Sequence, residues 1–323
     1  SVKSRGLGDV YKRQLEIDLE WSSDEASRVI GGKILNEYGL SNKFIIGGSA
    51  DLAASTKQII SDNTFGSNNY GGNSIEFGIR EHAMGGIVNG LALHSKLIPY
   101  GSTFLVFSDY MRPSMRLASL MKVNSLFIFT HDSIYLGEDG PTHQPVEHLM
   151  SLRLIPNLDV IRPSNSKELI HSYRYALEKR DNPIAIILSR QNMKFFDQDL
   201  SYKDFQTGAY EFRPGTDITL VATGSEVELA LEISTKLSDF SVQIISAPIL
   251  NRLSEERLES LGLSQNIFTI ELGRTIGWDT YIKNIKKSFS IDSFGESAPI
   301  DQLAEKFNFS AEKISNEIRS LLT

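Results

Sequence analysis

The chain has 323 residues, 41% of them hydrophobic, with 33 Lys plus Arg against 40 Asp plus Glu and a formal net charge of −7. This is enough to bury two cores, and the charge balance gives nucleic acid or an anionic membrane no general attraction. No apolar run approaches the length of a membrane span, and the absence of cysteine excludes disulfides, thiolate nucleophiles and Cys-ligated zinc, which fits a reducing, cytoplasmic setting.

Residues 1–14 carry four cations and little apolar content, without the apolar core of a signal peptide, and read as a leader of unclear origin. Beyond them, short apolar β-prone runs alternate with amphipathic segments. A helix is expected near Asp24–Tyr38, and strands at Phe44–Gly48, Ile75–Ile79, Leu97–Tyr100, Leu126–Thr130, Leu158–Arg162 and Ile184–Leu188. The alternation predicts an α/β domain over 15–192, with an open, mostly parallel sheet and helices on both faces. Charged and turn-forming residues from about Asn192 to Thr216 read as a linker, 193–216. A second, smaller open α/β domain is expected over 217–323, with strands Ile218–Ala222, Val242–Ala247, Ile267–Glu271 and Ser288–Ile291 and a final helix Ala311–Leu322. There Ser225 and Glu228 have the spacing of a capping box, which suits Thr223-Gly224-Ser225 better than a phosphate cradle.

Three segments concentrate chemistry. Phe77-Gly-Ile-Arg-Glu81-His-Ala-Met runs from a strand end into a helix nearly uncharged beyond His82, with Gly85, Gly86 and Gly90 spaced for close approach of another helix. Glu81 falls in the first turn, where the helix dipole alone favours a carboxylate; at a buried interface its pKa would rise to suit proton exchange. In Thr103-Phe104-Leu-Val-Phe107-Ser-Asp-Tyr110 the aromatics recur along one helical face, a pattern more often core than ring pocket. Finally, the β-prone run Ser125–Thr130 leads into His131-Asp-Ser-Ile-Tyr-Leu-Gly-Glu-Asp139-Gly-Pro-Thr-His143-Gln-Pro. Its imidazoles and carboxylates lie at the carboxyl end of a buried strand, where open α/β sheets bind ligands.

Taken in order, Gly47-Gly-Ser-Ala-Asp51-Leu-Ala-Ala-Ser55, Gly78-Ile-Arg-Glu81-His-Ala-Met, Gly101-Ser-Thr-Phe-Leu-Val-Phe-Ser-Asp-Tyr110, the His131 loop, Ser189-Arg190-Gln-Asn192 and Phe294-Gly-Glu-Ser-Ala-Pro299 resemble transketolase from about residue 20 onward. The resemblance implies the pyrimidine-binding and C-terminal domains of that family. It implies transfer of a two-carbon ketol unit from a ketose phosphate to an aldose phosphate, in the pentose phosphate pathway, with dihydroxyacetone synthase, a deoxyxylulose-phosphate synthase-like enzyme or a non-catalytic thiamine-enzyme partner as alternatives. It also implies thiamine diphosphate with Mg2+ or Ca2+, the metal ligands belonging to a Gly-Asp-Gly motif in an amino-terminal domain. No Gly-Asp-Gly occurs in this sequence. An amino-terminal half or subunit is therefore expected as partner, with a homodimer as the complete enzyme and this chain inactive by itself.

By the same resemblance, the catalytic residues are Glu81, which bonds the cofactor's pyrimidine nitrogen, and His131. Phe104, Phe107 and Tyr110 surround the aminopyrimidine, and Asp51 faces the cofactor region. His131 and Asp139 bond sugar hydroxyls, and Arg28, Ser55, Arg190 and His143 hold the substrate phosphate or lie near its carbonyl end. Tyr135 replaces a small residue of the family's substrate loop, which implies an altered acceptor preference.

Overall fold

The computed structural model describes residues 24–322 apart from 61, 62, 95, 180, 195 and 197, and its strands form two five-stranded sheets and one short two-stranded pair. The leader assigned to 1–14 lies outside the described residues. The first sheet contains β1 (Ile45–Ser49), β2 (Ile98–Phe104), β3 (Leu126–Thr130), β4 (Asp159–Ile161) and β5 (Ile184–Leu188). They lie in the order β1-β2-β3-β5-β4, every pairing parallel. Its helices are α1 (Ser27–Ser41), α2 (Glu81–His94), α3 (Ser108–Met121) and α4 (Ser166–Glu178).

Alternation along β3 explains why it is apolar from Leu126 to Phe129. Leu126 and Ile128 join α1 and α4 in one core, while Phe127 and Phe129 join α2 and α3 in another on the opposite face. Each of these side chains is at most 3% exposed and contributes about 1.5–3 kcal/mol by leaving water.

The expected strand at Ile75–Ile79 does not form. Residues 73–77 instead run beside β1, held by Gly47 N to Asn73 O, Ile75 N to Gly47 O and Phe77 N to Ser49 O, without a continuous ladder. The approach is so close that a Cβ on Gly48 would overlap the Ile75 carbonyl. Gly78, at φ +66°, then turns the chain away toward α2. The first helix begins at Ser27 rather than Asp24, because Glu25–Ala26 pairs antiparallel with Asn192–Met193.

The second sheet comprises β6 (Tyr210–Arg213), β7 (Ile218–Ala222), β8 (Val242–Ser246), β9 (Ile267–Ile270) and β10 (Ile285–Phe289), in the order β10-β9-β7-β8-β6. Only β6 is antiparallel. Helices α5 (Glu226–Lys236) and α6 (Ala311–Leu322) pack on each other beside it. The stretch read as a linker thus carries a helix, Tyr202–Gln206, and the edge strand β6, with Phe205 and Tyr210 buried in the first domain's core. β10 starts earlier than the apolar pattern implied because it is an edge strand, where Lys286 and Lys287 are tolerated. The capping box is absent: Ser225 has helical φ and ψ and gives its hydroxyl to Glu226, while Glu228 meets Lys194.

Buried ion pairs join the domains. Arg153 donates to Glu271 at 2.7 and 2.8 Å, and Arg162, just past β4, bridges Asp132 of the first domain and Glu226 at the start of α5.

Candidate functional site

The carboxyl edge of the first sheet gathers residues that are distant in sequence. β1 delivers Asp51, exposed and at φ +59°; β2 ends on Phe104 and continues through a 3-10 turn carrying Phe107 into α3; β3 delivers His131 at φ +61°; β5 leads to Arg190. Arg28, in the first turn of α1, joins this edge because its N–H bonds the Ser189 carbonyl. A crossover helix between parallel strands starts where the first strand ends, so Glu81, the first residue of α2, belongs to the same edge.

The aromatic residues do not lie on one helix. Phe104, Phe107 and Tyr110 instead form a row across a strand end, a turn and a helix, with centroids 5.8 and 6.0 Å apart and near-parallel planes. His131 caps the row by stacking on Phe104 at 3.6 Å, and His143 meets Phe104 and Phe107 edge-on at 6.4 and 5.5 Å. The row runs from the core to solvent, since Phe104 is 6% and Tyr110 64% exposed.

Burial pushes the His131 imidazole down to about pKa 3, and the guanidiniums of Arg28 and Arg190 and the His143 ring push the same way. His131 is therefore neutral at pH 7; its Nδ1 lies 2.8 Å from the Thr130 hydroxyl, and Nε2 makes no hydrogen bond among the described residues. Burial, then Arg190, also lowers the pKa of Arg28. The Arg28 guanidinium donates to the Ser55 carbonyl, while its Nε is buried without a partner. Two converging cations with an unused buried donor suit an anion. Arg190 also lines a cleft of about 440 Å³ with Gly137, Glu138, Asp139, Ile300 and Asp301, so Asp139 and Arg190 share a wall built from both domains. Glu81 is buried, and neither its side chain nor that of Asp51 has a hydrogen bond or ion pair among the described residues.

The sequence matches the transketolase pyrimidine-binding domain over residues 26–195 and the transketolase-like C-terminal domain over 208–310. The chain belongs to the transketolase family. It is 41% identical over 325 residues to the transketolase of Staphylococcus aureus (strain MRSA252), covering 96% of this chain and 49% of that protein. The transketolase of Bacillus subtilis (strain 168) is 39% identical over 317 residues, covering 94% and 48%. The chain thus spans about half the length of the curated relatives it matches. Among solved structures, a transketolase from Leishmania mexicana superposes with a TM-score of 0.89 at 33% identity, over 95% of this chain and 47% of that one. A chain described as a split gene transketolase, inactive beta4 tetramer, gives 0.74 at 27% identity, over 92% and 98%.

For this transketolase-family chain, sequence reasoning missed Gln144. Its buried amide Nε2 donates to the carbonyls of Ile134, Gly137 and Glu296, and the last partner is 152 residues away, beyond any local signal. Tyr135 does not face the cleft. Its hydroxyl donates to the Phe309 carbonyl at 3.0 Å and its ring packs on the second domain's core.

Proposed function

We propose that this chain is the pyrimidine-binding and C-terminal half of a cytoplasmic, thiamine-diphosphate-dependent transketolase. It would move a two-carbon ketol unit from a ketose phosphate to an aldose phosphate, as in the pentose phosphate pathway, in a homodimer completed by an amino-terminal half. The observation that carries this reading is the ring row ending on neutral His131, with Arg28 and Arg190 close enough to depress its pKa.

The residues fit part of the cofactor. Flat rings at Phe104 and Phe107 and the buried carboxyl of Glu81 suit an aminopyrimidine, which needs stacking and one acidic partner. The metal does not fit here. Among the described residues one group of three possible ligands occurs, Asp109, Glu147 and His148, and an imidazole is a poor ligand for Mg2+ or Ca2+, which prefer oxygen. Metal and diphosphate are therefore assigned to the amino-terminal half.

When bound, the cofactor supplies a nucleophilic thiazolium carbon. Glu81 holds a proton at the pyrimidine ring nitrogen, and Phe107, with Phe104 and Tyr110, keeps water from the ring. Asp51 faces the cofactor region. His131 presents neutral Nε2 to a sugar hydroxyl, Asp139 accepts from another, and Arg28, Arg190, His143 and Ser55 hold the phosphate. Dihydroxyacetone synthase chemistry shares these groups and differs in the acceptor.

The resemblance to the inactive split-gene chain supports a half without turnover of its own. So do exposed Ile87 and Leu93 on α2 and Leu117 and Leu120 on α3, an apolar surface suited to a partner. Calorimetric titration with thiamine diphosphate and Mg2+ tests the reading: no binding by this chain alone, and binding with ketol transfer once the amino-terminal half is added. Micromolar binding and turnover by the isolated chain would overturn it.

A further inference from the structure

The loop carrying Asp139 is held from outside its own domain. Gly137 and Gly140 both have positive φ, at +86° and +79°, so its backbone has many alternative conformations to lose. Within the first domain it is restrained by its own turns, Gly137 N to Ile134 O, Gly140 N to Gly137 O and His143 N to Gly140 O, and by the His143 ring against Phe104 and Phe107. Gln144, 2% exposed, gives its amide to Ile134 and Gly137 on one side and, at 2.9 Å, to the carbonyl of Glu296 in the second domain. Ser297, the next residue, donates its hydroxyl to the Glu138 carbonyl at 2.5 Å. A Cβ on Gly295 would overlap the Gln144 amide, and one on Gly140 would lie 3.2 Å from the Ser297 Cβ, so the two segments touch along their length.

On the far side of the loop, Tyr135 is tied to Phe309, and behind His131, Asp132 is tied through Arg162 to Glu226. The ties made by Ser297, Tyr135 and Arg162, and one of the three from Gln144, cross to the second domain.

We propose that segment 294–299 of the second domain is a positioning element for substrate: through Ser297 and the Glu296 carbonyl it fixes the 137–143 loop, and with it Asp139 and His143, relative to His131 and Arg190. Its ligand class is the phosphorylated sugar, so the inference deepens the proposed function and rests on it. Ser297 and Gln144 touch the loop and not the reacting atoms, and they act on sugar recognition without acting on the cofactor.

The test uses Ser297→Ala, at an exposed position where folding is not at risk, with Gln144→Leu as a second variant and Ser297→Thr as the conservative control. Hydrogen exchange on the chain itself should show 137–143 amides exchanging about tenfold faster in the first two variants, as expected for one lost hydrogen bond, with β3 amides unchanged. With the amino-terminal half added, KM for a ketose phosphate should rise about fivefold while kcat and thiamine diphosphate affinity stay within about twofold, and Ser297→Thr should restore KM. Unchanged loop exchange in both variants overturns the proposal. So does faster exchange with KM unmoved, or a joint fall in kcat and cofactor affinity, which marks general damage. Absence of ketol transfer in the wild-type mixture instead defeats the proposed function, and the exchange measurement still decides whether the loop is clamped.

Discussion

The imidazole of His131 lies over the ring of Phe104, centroids 3.6 Å apart and planes inclined by 29°. The left-handed backbone at His131 turns its ring back over the end of β2, and a neutral imidazole can stack there without burying a charge.

Acid stability should report this contact. With a folded pKa near 3 and an unfolded value of 6.5, the unfolded chain binds a proton between those limits that the folded chain refuses. Stability therefore rises with pH across the window and is lost as pH falls through it. His131→Asn, which accepts a positive φ, should flatten the slope of unfolding free energy between about pH 4 and 6 by up to ~1.4 kcal/mol per pH unit. Urea unfolding at a series of pH values measures it; an unchanged slope points to another group, such as His171, whose pKa burial also lowers.

Glu81 has a separate signature. In the reconstituted enzyme, Glu81→Gln should slow C2–H exchange of bound thiamine diphosphate by about two or more orders of magnitude, the scale of a lost general acid or base. Cofactor affinity should fall much less. Exchange at the wild-type rate, followed by NMR in deuterium oxide, would reduce Glu81 to a favourable charge at a helix start.

Arg190→Ala should raise KM for phosphorylated acceptors about tenfold or more and leave unphosphorylated aldoses nearly untouched, because the guanidinium serves only substrates that carry its partner. Steady-state kinetics with a phosphorylated and an unphosphorylated acceptor decide it. Equal losses for both would make Arg190 structural.

Tyr135→Phe should lower stability by about 1 kcal/mol, the scale of one hydrogen bond, through loss of the bond to the Phe309 carbonyl. Acceptor preference should not change. A shift in preference without a shift in the urea midpoint would place Tyr135 in the substrate path after all.

The strands of both sheets were legible where the chain is buried on two faces, since β5 is wholly apolar and β3 and β7 are apolar except for Thr130 and Thr219. Edges were harder to read. β6 hides Tyr210 and Phe212 among charges that face solvent, and β10 carries lysines its exposed side permits. Residues 73–77 are β-prone yet are recruited to β1 by an approach only glycine allows, which no periodicity reveals. At the candidate site the motif residues were visible by type and order. Invisible were the ties that run between domains, such as Gln144 to Glu296 and Asp132 through Arg162 to Glu226, because each partner is ordinary in its own local sequence.

The close approach of residues 73–77 to β1 bears on protein engineering. Replacing glycine by alanine is a common route to thermostability, yet at Gly47 and Gly48 the added methyl would strike the carbonyls of Tyr100 and Ile75, so variants there should be missing from any library selected for folding. Gly86 and Gly90 of α2 meet nothing within 4 Å, and alanine at each should gain about 0.5–1 kcal/mol of helix stability. Those two methyls would stand beside exposed Ile87 and Leu93, on the surface proposed to meet an amino-terminal half, so on that proposal a variant bred for heat resistance as an isolated chain loses fit to its partner.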